Sequence, residues 1–161
     1  PSSTLICDNL ILNGGFENGT TNWTATSGAI GTFTAQPAYA GTKNAWLGGN
    51  GKTSTEYAYQ SVTIPSSITT ATLSFYLHID TAETTTSTAY DKLVVSLQNT
   101  AGKTLKTLAT YSNLNKAAGY VLKTFDVSAY KGQTIRVYFK GTEDSSLQTS
   151  FVLDNVSLST K

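Results

Sequence analysis

Few side chains in this 161-residue chain are able to do covalent chemistry, so the first question is whether any of them form a catalytic set. His78 is the single histidine, which excludes a zinc site built on two imidazoles and leaves one general base for a serine or cysteine nucleophile. No Gly-x-Ser-x-Gly elbow supplies that nucleophile. Glycoside hydrolysis needs two carboxyl groups about 5–10 Å apart across a cleft. Nothing in the sequence sets Asp80, Asp91, Glu143 or Asp144 in such a pair. The chain is expected not to be an enzyme.

Binding chemistry fits the composition better. A sugar ring stacks its apolar face on Tyr or Trp while its hydroxyls meet Asn, Gln, Asp, Arg or His, and the chain carries 9 Tyr and 2 Trp. Between 73 and 80, strict alternation sends Leu73, Phe75, Leu77 and Ile79 to one face and Ser74, Tyr76, His78 and Asp80 to the other. Between 134 and 140 it sends Ile135, Val137 and Phe139 inward and leaves Thr134, Arg136, Tyr138 and Lys140 outside. If the two strands are neighbours, Tyr76, His78, Asp80, Arg136 and Tyr138 converge on one outer face and make a ligand-binding platform. The plain alternative is a solvated sheet face steadied by cross-strand aromatic pairs. Trp46 lies opposite in parity to Ala45 and Leu47, as either a core plug or a further platform. Should the site lie in loops instead, Tyr90, Asp91, Glu143 and Asp144 are the residues to inspect. Asp80, Glu83 and Asp91 flank a Thr-rich run, and Glu143 adjoins Asp144, but neither group follows the twelve-residue calcium-loop spacing. Both are expected to be solvated loop acids.

The elements that must position these residues are strands. Besides the two above, candidates run over 10–12, 31–34, 44–47, 56–64, 92–98, 104–111, 120–126 and 151–159, separated by Gly-, Pro- and Asn-rich turns. Residues 115–119 allow one helical turn at most. Many short strands and no long helix predict an all-β fold, a two-sheet antiparallel sandwich. Length suits one domain over 9–161, preceded by a linker or tail over 1–8. The chain opens on Pro1 without a Met, as expected of a piece excised or processed from a longer protein.

Charged residues make up 13% of the chain and the net charge is +1, which argues against nucleic acid and anionic membrane as partners. No apolar run approaches the roughly 20 residues of a membrane-spanning helix. Cys7 is alone, so no internal disulfide holds the fold. It is either a small half-buried residue or a thiol that pairs with a segment outside this chain.

Two further motifs stand at the ends: Asn13-Gly14-Gly15-Phe16-Glu17 and Leu153-Asp154-Asn155-Val156-Ser157-Leu158. With Ala40-Gly41-Thr42-Lys43-Asn44-Ala45-Trp46-Leu47 and the turn over 125–133, they resemble the calcium-containing jelly-roll carbohydrate-binding modules, a galactose-binding-like fold. The resemblance implies a jelly roll holding a structural Ca²⁺ between Glu17, Asp154 and the main-chain oxygens of Gly15 and Lys43. It also implies a core position for Trp23 and a secreted or cell-surface location, as a monomeric accessory module of a larger bacterial protein whose partner is a polysaccharide or glycan. The alternative it leaves open is a structural or protein-contacting C-terminal domain of a secreted peptidase or adhesin, with no sugar site.

Overall fold

Alternation in the sequence becomes two packed sheets in the computed structural model, which describes residues 8–161. In chain order the strands are β1 (Asp8–Asn9), β2 (Thr24–Ala25), β3 (Ile30–Gly31), β4 (Asn44–Gly48), β5 (Ser54–Thr63) and β6 (Ala71–Thr81). They continue with β7 (Lys92–Gln98), β8 (Thr104–Ser112), β9 (Val121–Asp126), β10 (Thr134–Glu143) and β11 (Thr149–Thr160). One sheet has the order β3-β4-β11-β6-β9, with β1 also paired to β11; the other is β2-β5-β10-β7-β8. Every pairing is antiparallel. The expected all-β jelly-roll sandwich is the fold observed.

Two expected strands shrink. Leu10–Leu12 lies outside any strand, because the chain turns away after β1 and only Leu10 N reaches back to Leu158 O, at 2.8 Å. The strand expected over 31–34 is reduced to the two residues of β3, since the chain leaves the sheet there to cross its outer face. The helical turn expected over 115–119 falls instead at Asn113–Asn115, where Ser112 and Asn115 cap each other reciprocally. Cys7 and most of the expected N-terminal tail lie outside the described residues.

The core fills the space between the sheets. Phe75 from the first sheet meets Phe139 from the second edge-on, with centroids 5.1 Å apart, and Trp23 leans on Phe16 and Phe139 at 4.9 and 6.5 Å. The Trp23 indole N–H donates to Asn13 O at 2.8 Å, so a ring at the core margin leaves no polar atom unpaired. Leu47, Leu73, Leu77, Leu93, Leu97, Ile135, Phe151 and Leu153 complete the interior.

The outer faces of the two sheets differ. Residues 149–154 of β11 are buried on both sides, the pattern of a strand covered twice. The second cover is a strap, residues 32–43. Phe33 packs edge-on against Trp46 at 5.2 Å, Gln36 Nε2 donates to Asp80 Oδ2 at 3.1 Å, and Tyr39 stacks on Tyr76 with centroids 3.8 Å apart. Tyr120 Oη donates to Pro37 O at 2.8 Å, and Asn44 Nδ2 to Gln36 O at 2.8 Å. Among the described residues no corresponding segment crosses the outside of β5, β10 and β7, where Tyr57, Tyr59, Arg136 and Tyr138 are half-buried and Lys140 is exposed.

Candidate functional site

Parity places the outward residues of β6 and β10 as expected, but the two strands belong to different sheets. Tyr76, His78 and Asp80 therefore face one side of the sandwich and Arg136 and Tyr138 the other, and the five side chains do not converge. Alternation fixes which residues of a strand share a face; it carries no information on which strands pair. The first group is engaged from within: Tyr76 lies under Tyr39, Asp80 accepts from Gln36, and His78 Nδ1 is 3.2 Å from Gly119 O. Trp46 is neither core plug nor open platform. Register sets it level with Val152 and His78 on the strapped face, half-buried beside Phe33, and its indole nitrogen is buried without a hydrogen-bond partner.

On the open face, β5 and β10 bring three tyrosines together that the sequence reading did not group. Tyr59 is directly opposite Tyr138, and Tyr57 is two residues along β5. Tyr57 and Tyr138 are 6.1 Å apart and 4° from parallel; Tyr59 and Tyr138 are 5.6 Å apart at 22°. The Arg136 guanidinium lies 4.5 Å from the Tyr59 ring centroid and donates from Nη2 to Thr100 O at 2.8 Å. That bond and the ring beneath fix the guanidinium in place. Burial raises the Tyr138 phenol above its ordinary range, with the neighbouring Tyr57 and Tyr59 adding to the rise, so the Tyr138 ring is neutral at physiological pH. Beside the row runs a groove of about 340 Å³ lined by Lys92, Val94, Ser96, Gln98, Tyr138 and Lys140. The sequence held the signal for this cluster in the alternating Tyr57 and Tyr59, but the register that puts Tyr138 against them is a tertiary fact.

At the far side the two end motifs meet. Glu17 accepts hydrogen bonds from Thr42 N at 3.0 Å, Thr42 Oγ1 at 3.2 Å and Lys43 N at 2.8 Å. Those amide donors hold its carboxyl below the usual range. Asp154 is fully buried and accepts from Ala40 N at 3.1 Å and Asn155 N at 2.8 Å. Burial raises it, the amide bonds oppose that rise, and the charge of Glu17 adds to it. Gly15 lies close to the Asn155 side chain. The turn over 40–43 thus touches both carboxylates, chiefly through main-chain N–H groups. A hard cation would need these carboxylate oxygens together with main-chain carbonyl oxygens, in place of the N–H groups that face them here.

A second acidic group assembles where solvated loop acids were expected. Glu83, Asp91 and Asp144 each place a carboxylate oxygen within 4.8 Å of the others, an arrangement able to hold a metal ion, and Glu83 and Asp91 are buried. Their positions in the sequence gave no spacing pattern because they come from the two ends of the loop between β6 and β7 and from the turn after β10. Glu143, also buried, is not part of this trio. Its carboxylate is occupied by Asn50 N, Gly51 N, Thr149 N and Ser54 Oγ.

No protein-family model matches the sequence, and no curated protein matches it. The fold, however, is shared with solved structures. A family 61 carbohydrate-binding module in complex with β-1,4-galactotriose superposes with a TM-score of 0.64 at 14% identity, over 94% of this chain and 97% of that one. The family 22 xylan-binding domain from Paenibacillus barcinonensis gives 0.55 at 19% identity, over 95% and 94%. A cyclase from Fischerella sp. gives 0.57 at 16% identity, over 97% and 98%. The neighbours are mostly carbohydrate-binding modules, with domains of enzymes among them; at these identities they establish the β-sandwich fold of such modules.

Proposed function

We propose that this chain is a non-catalytic carbohydrate-binding module whose ligand lies along the tyrosine row of the open sheet face. The observation that carries the reading is the near-parallel set Tyr57, Tyr138 and Tyr59 at the edge of the groove, left uncovered by the described residues while the opposite face is strapped. Aromatic rings offer stacking surface to pyranose rings. Gln98, Ser96, Lys92, Lys140 and Arg136 offer the hydrogen-bonding groups that hydroxyls need. Tyr76, His78, Asp80 and Trp46 have a different part, holding the strap to its sheet.

The solved neighbours include modules named for galactotriose and xylan, which supports an oligosaccharide as the ligand class. A further neighbour is an arabinofuranosidase of which the matched part is 26%, which supports a place inside a larger protein. On this reading the parent is secreted or on the bacterial cell surface. A structural Ca²⁺ belongs to the same reading: Glu17 and Asp154 supply carboxylate oxygen, and Gly15 and Lys43 main-chain oxygen. The ion neutralises the buried Asp154 and ties the two ends of the chain to the turn over 40–43.

Titration of the isotope-labelled domain with β-galactan and xylan oligosaccharides tests the assignment. Shifts are expected at 57–59, 96–98 and 136–140. Stacking of an aromatic ring on a nucleobase is worth about 1–3 kcal/mol, and a sugar on Tyr138 is expected at the low end. Tyr138→Ala should thus weaken binding about tenfold, equivalent to about 1.4 kcal/mol, with the fold intact. Shifts confined to Tyr90 and residues 143–146 would move the site to the loops. No shifts with any glycan would favour the structural or protein-contacting reading.

A further inference from the structure

The acidic trio differs from a solvated cluster in one respect that calls for a ligand. Glu83 is only 6% exposed. Its main-chain N–H donates to Thr81 Oγ1 at 3.0 Å, while its carboxylate has no hydrogen-bond partner among the described residues, although the residue is more than nine-tenths buried and its carboxylate lies within reach of those of Asp91 and Asp144. The other two are partly satisfied. Asp91 accepts from Asp144 N at 2.8 Å and Thr149 Oγ1 at 2.6 Å, and Asp144 accepts from Ser146 N at 3.2 Å.

We propose that Glu83, Asp91 and Asp144 form a second divalent-cation site, of the hard, oxygen-ligated kind that suits Ca²⁺. Oxygens bound to one Ca²⁺ at about 2.4 Å can lie up to about 4.8 Å apart, so all three can reach a single ion. Glu83 and Asp91 stand near the two ends of the long loop between β6 and β7, and Asp144 follows the end of β10. An ion there fastens the Thr-rich loop 82–91 to the body of the sandwich. Burial, with the mutual repulsion of the trio, raises the carboxyls of Glu83 and Asp91 above their ordinary ranges, a cost that a bound cation offsets. This site is separate from the one shared by Glu17 and Asp154, and the two stand or fall independently.

Equilibrium dialysis of chelator-stripped protein against Ca²⁺, with elemental analysis, provides the test alongside limited proteolysis of loop 82–91. Wild type is expected to bind one more ion per chain than Glu83→Gln, and Ca²⁺ to slow loop cleavage in wild type but not in that variant. Asp144→Asn, which alters a residue less deeply buried, should weaken that ion's binding about tenfold through the lost ligand charge. Asp154→Asn should leave this ion in place while removing any ion at the other site. Equal ion content in wild type and Glu83→Gln, with cleavage indifferent to Ca²⁺ in both, would overturn the proposal. Stripped wild type that takes up no ion at the trio would overturn it equally.

Discussion

Gly14 leaves room for the carbonyl of Val156 and for little else: a Cβ there would run into that oxygen, while Val156 N donates to Gly14 O at 2.9 Å. The contact seats the opening motif against the irregularity in β11 between Asp154 and Ser157, where Asn155 has a φ of 46°. Gly14→Ala must push the two segments apart. A loss of about 1–3 kcal/mol is expected, as for other overpacked interiors, read as a melting temperature lower by roughly 3–10 °C; an unchanged melt would show the junction to be pliable. Asp126 gives a second residue-scale prediction. Its Oδ1 accepts from Ser128 Oγ at 2.5 Å and Ser128 N at 2.9 Å, which lowers its carboxyl below the usual range. A folded value below the unfolded one means the contribution to stability is present above about pH 3.9. It is lost as the pH falls through the folded value. A carboxyl ¹³C titration should place the Asp126 midpoint under the ordinary Asp value, and a midpoint at or above it would contradict the geometry.

The strap over 32–43 explains why one sheet face is closed. Tyr39 is its most exposed aromatic contact, stacked on Tyr76 next to the Ala40 amide that bonds Asp154. Tyr39→Ala should cost about 1 kcal/mol, in line with aromatic pairs elsewhere, and should speed hydrogen exchange at Ala40. Exchange at Ala40 as slow as in wild type would mean the strap is held by Gln36 and Phe33 alone. Such long-range contacts mark the limit of what the sequence makes legible. β7 has the bounds that its pattern predicts, and the inward faces of β6 and β10 are as alternation sets them, because a strand buried on one face writes its period into the chain. The sheet to which each belongs is decided by pairings between distant segments, which no local period records. Hence Tyr76 and Tyr138, alike in parity, are on opposite sides of the molecule. The trio of acids escaped for the same reason, as did the strap, whose residues carry no regular period at all.

Across the whole molecule, the sheets share one interior in which Phe75 and Phe139 interlock. Phe139→Ala removes the ring that touches both Phe75 and Trp23 and should cost about 3–5 kcal/mol, measurable by denaturant unfolding; a loss under about 1 kcal/mol would mean that the sheets close over the gap. The metal reading makes a prediction at the same scale. With Ca²⁺ near 100 times its dissociation constant, linkage adds about 2.7 kcal/mol, so chelation should lower the melting temperature by some 5–10 °C. A melt that does not respond to chelator, on protein shown to be metal-free, would remove the ion from the account. One pairing in the first sheet bears on how the domain responds to force. β1 is antiparallel to the final residues of β11, with Asp8 opposite Thr160, so the chain enters and leaves at adjacent points. Tension drawn through those two points opens the pair one hydrogen bond after another, as a zip does, because each bond bears the load in turn. Resistance to stretching is therefore low along this direction. Were this chain a module of a larger protein, as proposed, it would hang to one side of the line of pull, and the load would bypass the tyrosine face.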